Sequence, residues 1–254
     1  MDITTVVGYV LGIFFLVWSI GPSSLGAFYD FPSMVCVFGG GTAAVIISLP
    51  IEVLKNVPKV AKNVLFTKSQ SPVELIARMV EFAEIARRDG ILALENVTEN
   101  INDEFLVRGI QLAVDGTDPE LIENILSTEL DNMQERHALG KKFFDLLTKY
   151  APAWGMIGTL IGLIMMLGGG MSDPAALTSG MAVALITTMY GSVCANLLFG
   201  PLGDKLAMRN NEEMLLKMII LKGVMSIQQG DNPRIVEQKL RIFLPPALRP
   251  AEER

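Results

Sequence analysis

The chain has 254 residues, half of them hydrophobic, a mean hydropathy of +0.42 and a formal net charge of −6. Only 19% of residues are charged, and all 21 Lys and Arg lie within 51–149 and 205–254, leaving 1–50 and 150–204 without one. Such segregation describes a chain alternating between two solvents. It argues against an ordinary soluble domain, and the acidic balance gives no reason to expect nucleic acid as a partner.

The first apolar stretch, "ITTVVGYVLGIFFLVWSI" (3–20), and the second, "FPSMVCVFGGGTAAVIISLP" (31–50), carry no internal charge. Each is about 20 residues, enough at ~1.5 Å per residue to cross the ~30 Å hydrocarbon core of a bilayer. The opening "MDITT" is not a basic n-region, so the first span reads as a retained anchor. The segment that follows reads as helical. Ser71 is placed to cap a helix that starts with Pro72, with Glu74 completing a capping box and Gly90 ending it. "ILALENVTENI" (91–101) predicts another short helix.

A long helix is expected from Asp118-Pro119, with no further breaker before Pro152, running directly into the third apolar stretch, "APAWGMIGTLIGLIMMLGGG" (151–170). The fourth stretch, "GMAVALITTMYGSVCANLLFG" (180–200), continues in the same way towards Gly230, and "NPRIVEQKLRIFL" predicts a final helix stopped by Pro245-Pro246. The fold class is an all-α integral membrane protein. It has four transmembrane helices and a helical cytoplasmic domain, and two long helices extend from the membrane into the cytoplasm. The expected division is 1–50 for the first two spans, 51–149 for the cytoplasmic domain, 150–204 for the last two spans and 205–254 for the C-terminal helices.

Orientation follows from the basic residues. Lys55, Lys59, Lys62 and Lys68 follow the second span, Lys141, Lys142 and Lys149 precede the third, and Lys205 and Arg209 follow the fourth. Linkers 21–30 and 171–179 have none, so 51–149, the tail and both termini are expected in the cytoplasm. Trp18 and Trp154 are placed as interface aromatics.

Chemistry-bearing motifs are sparse. Cys36 and Cys194 lie inside spans and read as small buried residues rather than a disulfide or metal pair. His137, in a charged helical stretch, reads as solvated. No phosphate-cradling loop, nucleophile elbow or Cys/His spacing occurs, so neither an enzyme nor a bound cofactor is expected.

Small residues mark helix contacts: Gly8 and Gly12, Gly158 and Gly162, the stripe Thr187, Gly191, Ala195, and the stripe Gly180, Ala184, Thr188. Pro152 opens the third span and Pro201 closes the fourth, each interrupting a continuous helix, and two bends near one membrane face would form a hinge. The plainer alternative is a kink whose freed carbonyls neighbours satisfy. Thr159 can bond the carbonyl one turn earlier, the usual fate of a membrane threonine. With Thr187 and Thr188 at intermediate depth on the next span, it also offers hard oxygen ligands of the kind an alkali cation accepts. The spans themselves hold no carboxylate, the usual mark of an ion route, so a partner helix must bring the acid. Arg87 and Arg88 at a helix C-terminus read as dipole complements, and Glu95 as a solvated carboxylate.

Several segments together, "YAPAWGMIGTLIGL" (150–163), "MAVALITTMYG" (181–191), "FGPLGDKL" (199–206), "ARRDGILALE" (86–95) and "VDG" (114–116), closely resemble the A subunit of the bacterial flagellar motor stator, the MotA/PomA family. The resemblance covers essentially the whole chain. It implies a homopentameric ring in the bacterial inner membrane around a B subunit, MotB- or PomB-like, whose membrane aspartate supplies the missing acid. It implies further that ion flow drives motility by turning this ring against the rotor protein FliG, with no resident cofactor. By motif, Pro152 and Pro201 match the prolines that couple ion passage to conformational change. Arg87 and Glu95, with Arg88 beside them, match the charged FliG contact. Thr159, Thr187 and Thr188 stand where sodium-type members carry hydroxyls, so sodium is the expected ion, with proton coupling as the alternative. Asp89 departs from the family pattern and alters charge at the rotor contact. A TolQ/ExbB-like energiser of envelope processes is the nearest rival. Those proteins have three spans and lack the "ARRDGILALE" motif. A passive membrane scaffold, in which threonines and prolines only pack, is the other.

Overall fold

In the computed structural model the described residues are 3–66, 70–98, 101, 103–169 and 173–248, and every regular element among them is helical. In chain order these are α1 (Ile3–Ile20), α2 (Phe31–Ser48), α3 (Ile51–Phe66), α4 (Pro72–Asp89), α5 (Leu94–Thr98), α6 (Glu104–Val114), α7 (Pro119–Gly168), α8 (Pro174–Gln228) and α9 (Pro233–Arg241). Four of them, α1, α2, α7 and α8, are long and apolar enough to cross a membrane. The long helices expected from the missing breakers are present, α7 with 50 residues and α8 with 55. Lys68 and part of the glycine-rich linker before α8 fall outside the described residues.

The helix ends follow local chemistry. Asp30, Asp103, Asp118, Asp173 and Asn232 each accept backbone N–H bonds at a helix start, meeting donors that have no intrahelical partner. The expected capping box at Ser71 does not form. Ser71 takes the extended cap conformation, but its hydroxyl makes no capping bond, and the backbone bond from Leu75 N–H to Ser71 O opens α4 while Glu74 stays exposed. Gly90 ends α4 with φ of +87°, a conformation that side-chain-bearing residues rarely adopt. The stretch read as one short helix at 91–101 is a 3-10 turn, Ile91–Ala93, followed by α5. α6 goes beyond the helices expected from the sequence; its signal is the Asp103 cap ahead of buried Phe105, Leu106, Gly109, Ile110 and Ala113 on one face.

The chain divides into two compact units, one of residues 1–67 and 138–208, the other of 68–137 and 209–254. The second has a conventional apolar core in which Met79, Leu94, Ile122, Leu126, Ile219 and Leu240 are fully buried. Lys217 Nζ bonds Asp103 Oδ1 at 2.7 Å with both side chains largely buried, tying α8 to the cap of α6. Asp103→Ala removes a helix cap and this ion pair together, so it is expected to lower stability by about 2 kcal/mol, read as a lower melting temperature of the purified protein by circular dichroism.

The first unit packs apolar helices through small residues. Trp154 lies on Gly40, so close that a Cβ there would meet the indole ring at 2.2 Å, and it is packed between helices rather than freely exposed as Trp18 is. Tyr190 of α8 accepts from Asp30 N–H and donates to Phe28 O, fastening the segment before α2.

Candidate functional site

The seam between α7 and α8 within the first unit is set by glycine. A Cβ at Gly155 would lie 3.0 Å from Thr187 O, one at Gly158 2.5 Å from Thr187 Cγ2, and one at Gly162 2.6 Å from Gly180 O. From the other side, a Cβ at Gly191 would lie 2.7 Å from Ala151 O and 3.0 Å from Pro152 Cα. The pair Gly158 and Gly162 is thus used inside the chain. Without a hydrophobic force between helices in lipid, such backbone approach is what holds them together.

This approach brings three hydroxyls onto one carbonyl. Thr159 Oγ1 donates to Gly155 O at 3.0 Å, the local bond expected of a membrane threonine, and also reaches Ala184 O at 3.2 Å and the Thr188 hydroxyl. Thr188 Oγ1 lies 3.0 Å from Ala184 O, and Thr187 Oγ1 lies 3.1 Å from it and 2.8 Å from Val183 O. The three are not equivalent. Thr187 is 1% exposed, with its methyl against Gly158, whereas Thr159 is half-buried and Thr188 exposed at the edge of the seam. The contribution of Ala184 O had no sequence signal, because a backbone carbonyl carries no residue identity.

Both prolines lie inside continuous helix, Pro152 in α7 and Pro201 in α8. Pro152 abuts Gly191, and Pro201 follows Gly200, which faces Thr148 one turn before Pro152. The stretch Cys194–Phe199 just before Pro201 is a π-helical segment, in which Gly200 N–H bonds Ala195 O, five residues back. A π segment and a proline in succession weaken the ladder of α8 at one place. Sequence reasoning missed Tyr9, whose hydroxyl donates to Leu198 O in that segment at 2.8 Å.

In the second unit Arg87, Arg88, Leu92 and Glu95 are all exposed at the turn between α4 and α5. Arg88 binds Asp89 in a two-point pair, Nε to Oδ1 at 3.0 Å and Nη2 to Oδ2 at 2.8 Å. That pair pulls the Asp89 carboxyl below its ordinary value and raises the Arg88 guanidinium further. Asp89 therefore offsets the charge of Arg88, which stays exposed beside Arg87, with Glu95 across the Gly90 turn.

Cys36 and Cys194 are free thiols. His137, read as solvated, holds Asn210 Oδ1 at 2.8 Å through Nδ1. Among the described residues no group of three His, Cys, Asp or Glu is placed to hold a metal ion.

A family model described as MotA/TolQ/ExbB proton channel family matches residues 97–218. Motility protein A of Borreliella burgdorferi is 44% identical over 97% of this chain and 95% of its own length. The chain belongs to the MotA/PomA family of flagellar motor stator A subunits. Chemotaxis protein PomA of Vibrio alginolyticus is 38% identical over 96% of each chain. The solved flagellar MotAB stator complex from Bacillus subtilis contains a chain that superposes with a TM-score of 0.87 at 32% identity, covering 96% of both. This stator A subunit is an all-α integral membrane protein with four spans, a channel and stator component rather than an enzyme.

Proposed function

We propose that this A subunit couples sodium-ion flow to torque on the rotor protein FliG, in the bacterial inner membrane, as a homopentameric ring around a MotB- or PomB-like B subunit. The observation that carries the choice of ion is the meeting of Thr159 and Thr188 over Ala184 O, with one hydroxyl half-buried and the other exposed. Neutral hard oxygens at the edge of a dry seam suit a partly dehydrated alkali cation, and Thr187 backs them from within. The absence of a carboxylate from the spans assigns the acid to the partner's aspartate. The positive-inside distribution of Lys and Arg supports a cytoplasmic side for 51–149, 205–254 and both termini. Pro152 and Pro201 then act as the joint through which ion passage moves the cytoplasmic helices.

The experiment is motor speed against external sodium at fixed pH. Speed that rises with sodium and saturates supports the reading. Speed indifferent to sodium but following pH would replace sodium by protons, the ion for which the proton channel family is named, and leave the stator reading in place.

Arg87 and Glu95 are the rotor-facing pair of this proposal, with the charge of Arg88 offset by Asp89. Arg87→Glu and Glu95→Lys are each expected to cut torque severalfold with unchanged membrane levels, because both side chains are exposed and no ion pair among the described residues depends on them. Bead-rotation assays beside immunoblots check this, and full torque in both reversals removes the pair from the rotor contact.

A further inference from the structure

α1 has no buried residue, yet it makes two close contacts one turn apart, and both fall on the same short stretch of α8. Tyr9 Oη donates to Leu198 O at 2.8 Å, and a Cβ at Gly12 would sit 2.4 Å from Leu197 Cδ1. Leu197 and Leu198 belong to the π segment Cys194–Phe199. Pro201 follows at once and brings no N–H of its own. A shifted ladder followed by a missing donor strands carbonyls, and in hydrocarbon no water replaces the lost bond. The Tyr9 hydroxyl supplies a donor to this stretch from a different helix.

The seam is flanked by open space on both sides. One cavity is lined by Thr5, Gly8, Leu197, Pro201 and Lys205, and the other by Phe15, Ser19, Ser192 and Asn196. Gly8, the partner of Gly12 in its motif, has no atom within 4 Å of its Cβ position. These two close contacts of α1 with α8 fall within about one turn, with open space to either side.

We infer that Tyr9 is a positioning residue for the joint at Pro201: its hydroxyl holds the π segment to α1, so that bending there must either carry α1 along or break this bond. The inference rests on the proposal that the joint moves, but not on which ion drives it. α1 is then a brace on the joint, and the paired cavities are the space in which it swings.

The test is Tyr9→Phe, which removes one hydroxyl and keeps the ring, in the complete motor and in the purified full chain with its B subunit. Amide exchange at 198–203 is expected to quicken about fivefold, the shift that one hydrogen bond contributes. The torque added by each newly incorporated stator unit, read from steps in bead speed, is expected to fall. The sodium concentration giving half-maximal speed is expected to stay where it was. Unchanged exchange overturns the inference, and so do fewer steps of normal height, which would mark simple loss of folded protein. Pro201→Ala, run alongside, separates the two ideas. Normal step height there would remove the joint, whereas quickened exchange in Tyr9→Phe would still uphold the hydrogen-bond role.

Discussion

Cells carrying Gly162→Val are expected to hold almost no folded A subunit in the membrane and to be non-motile. A Cβ at this position would lie 2.6 Å from Gly180 O and 2.7 Å from Ala184 N, and both are backbone atoms of α8 that no rotamer change moves aside. The helices must separate. Because dispersion between close surfaces is what holds them, even a small gap forfeits much of it. Overpacking of this kind costs about 3 kcal/mol or more, over a hundredfold in a folding equilibrium. Gly8→Val is the control, a glycine of the same motif type with open space at its Cβ position. Its membrane level is expected to stay near normal. Immunoblots of the membrane fraction and melting in detergent check both, and normal levels of Gly162→Val would mean that α7 and α8 do not approach as closely as described.

The second large effect is on ion use. Thr159→Ala combined with Thr188→Ala is expected to raise the sodium needed for half-maximal speed at least tenfold while the protein stays folded. The two consequences separate because their energies differ. Interhelical hydrogen bonds in membranes contribute only about 0.6 kcal/mol on average, so loss of these hydroxyls barely affects stability. An oxygen bonded to a charged group contributes about 1.5–3 kcal/mol, or roughly tenfold to a hundredfold per ligand. Thr159→Ser alone keeps the oxygen and is expected to leave the wild-type sodium curve unchanged. An unchanged curve in the double variant would reduce the hydroxyls to packing, as in the scaffold reading. Thr187→Ala should behave differently, since that hydroxyl is spent on Val183 O and Ala184 O in its own helix and the side chain is buried against Gly158.

The contrast among the three threonines shows how far a single helix can be read. All three were visible as hydroxyls in apolar stretches, and spacing alone could not say which face the partner helix or which is consumed locally. The same holds for the glycine motifs. Gly158-Gly162 and Gly8-Gly12 have identical spacing, yet both members of the first meet α8, Gly158 the Thr187 side chain and Gly162 the backbone at Gly180 and Ala184, whereas the second is half open. His137 read as solvated because its neighbours in sequence are charged, but its hydrogen-bond partner, Asn210, is 73 residues away.

The sequence by itself determined the four apolar spans, the two uninterrupted long helices and the segregation of basic residues. It also determined the places where proline removes a donor and the motifs that carry the family. These are properties of length, solvent and local backbone chemistry, written along one strand of residues. The tertiary structure alone decided that Ala184 O gathers three hydroxyls, that Asp89 pairs with Arg88, and that Tyr9 reaches the π segment before Pro201. Each of these depends on the rotation and depth of one helix against another or on the rotamer a side chain adopts, and neither quantity is encoded in the order of residues along a single element.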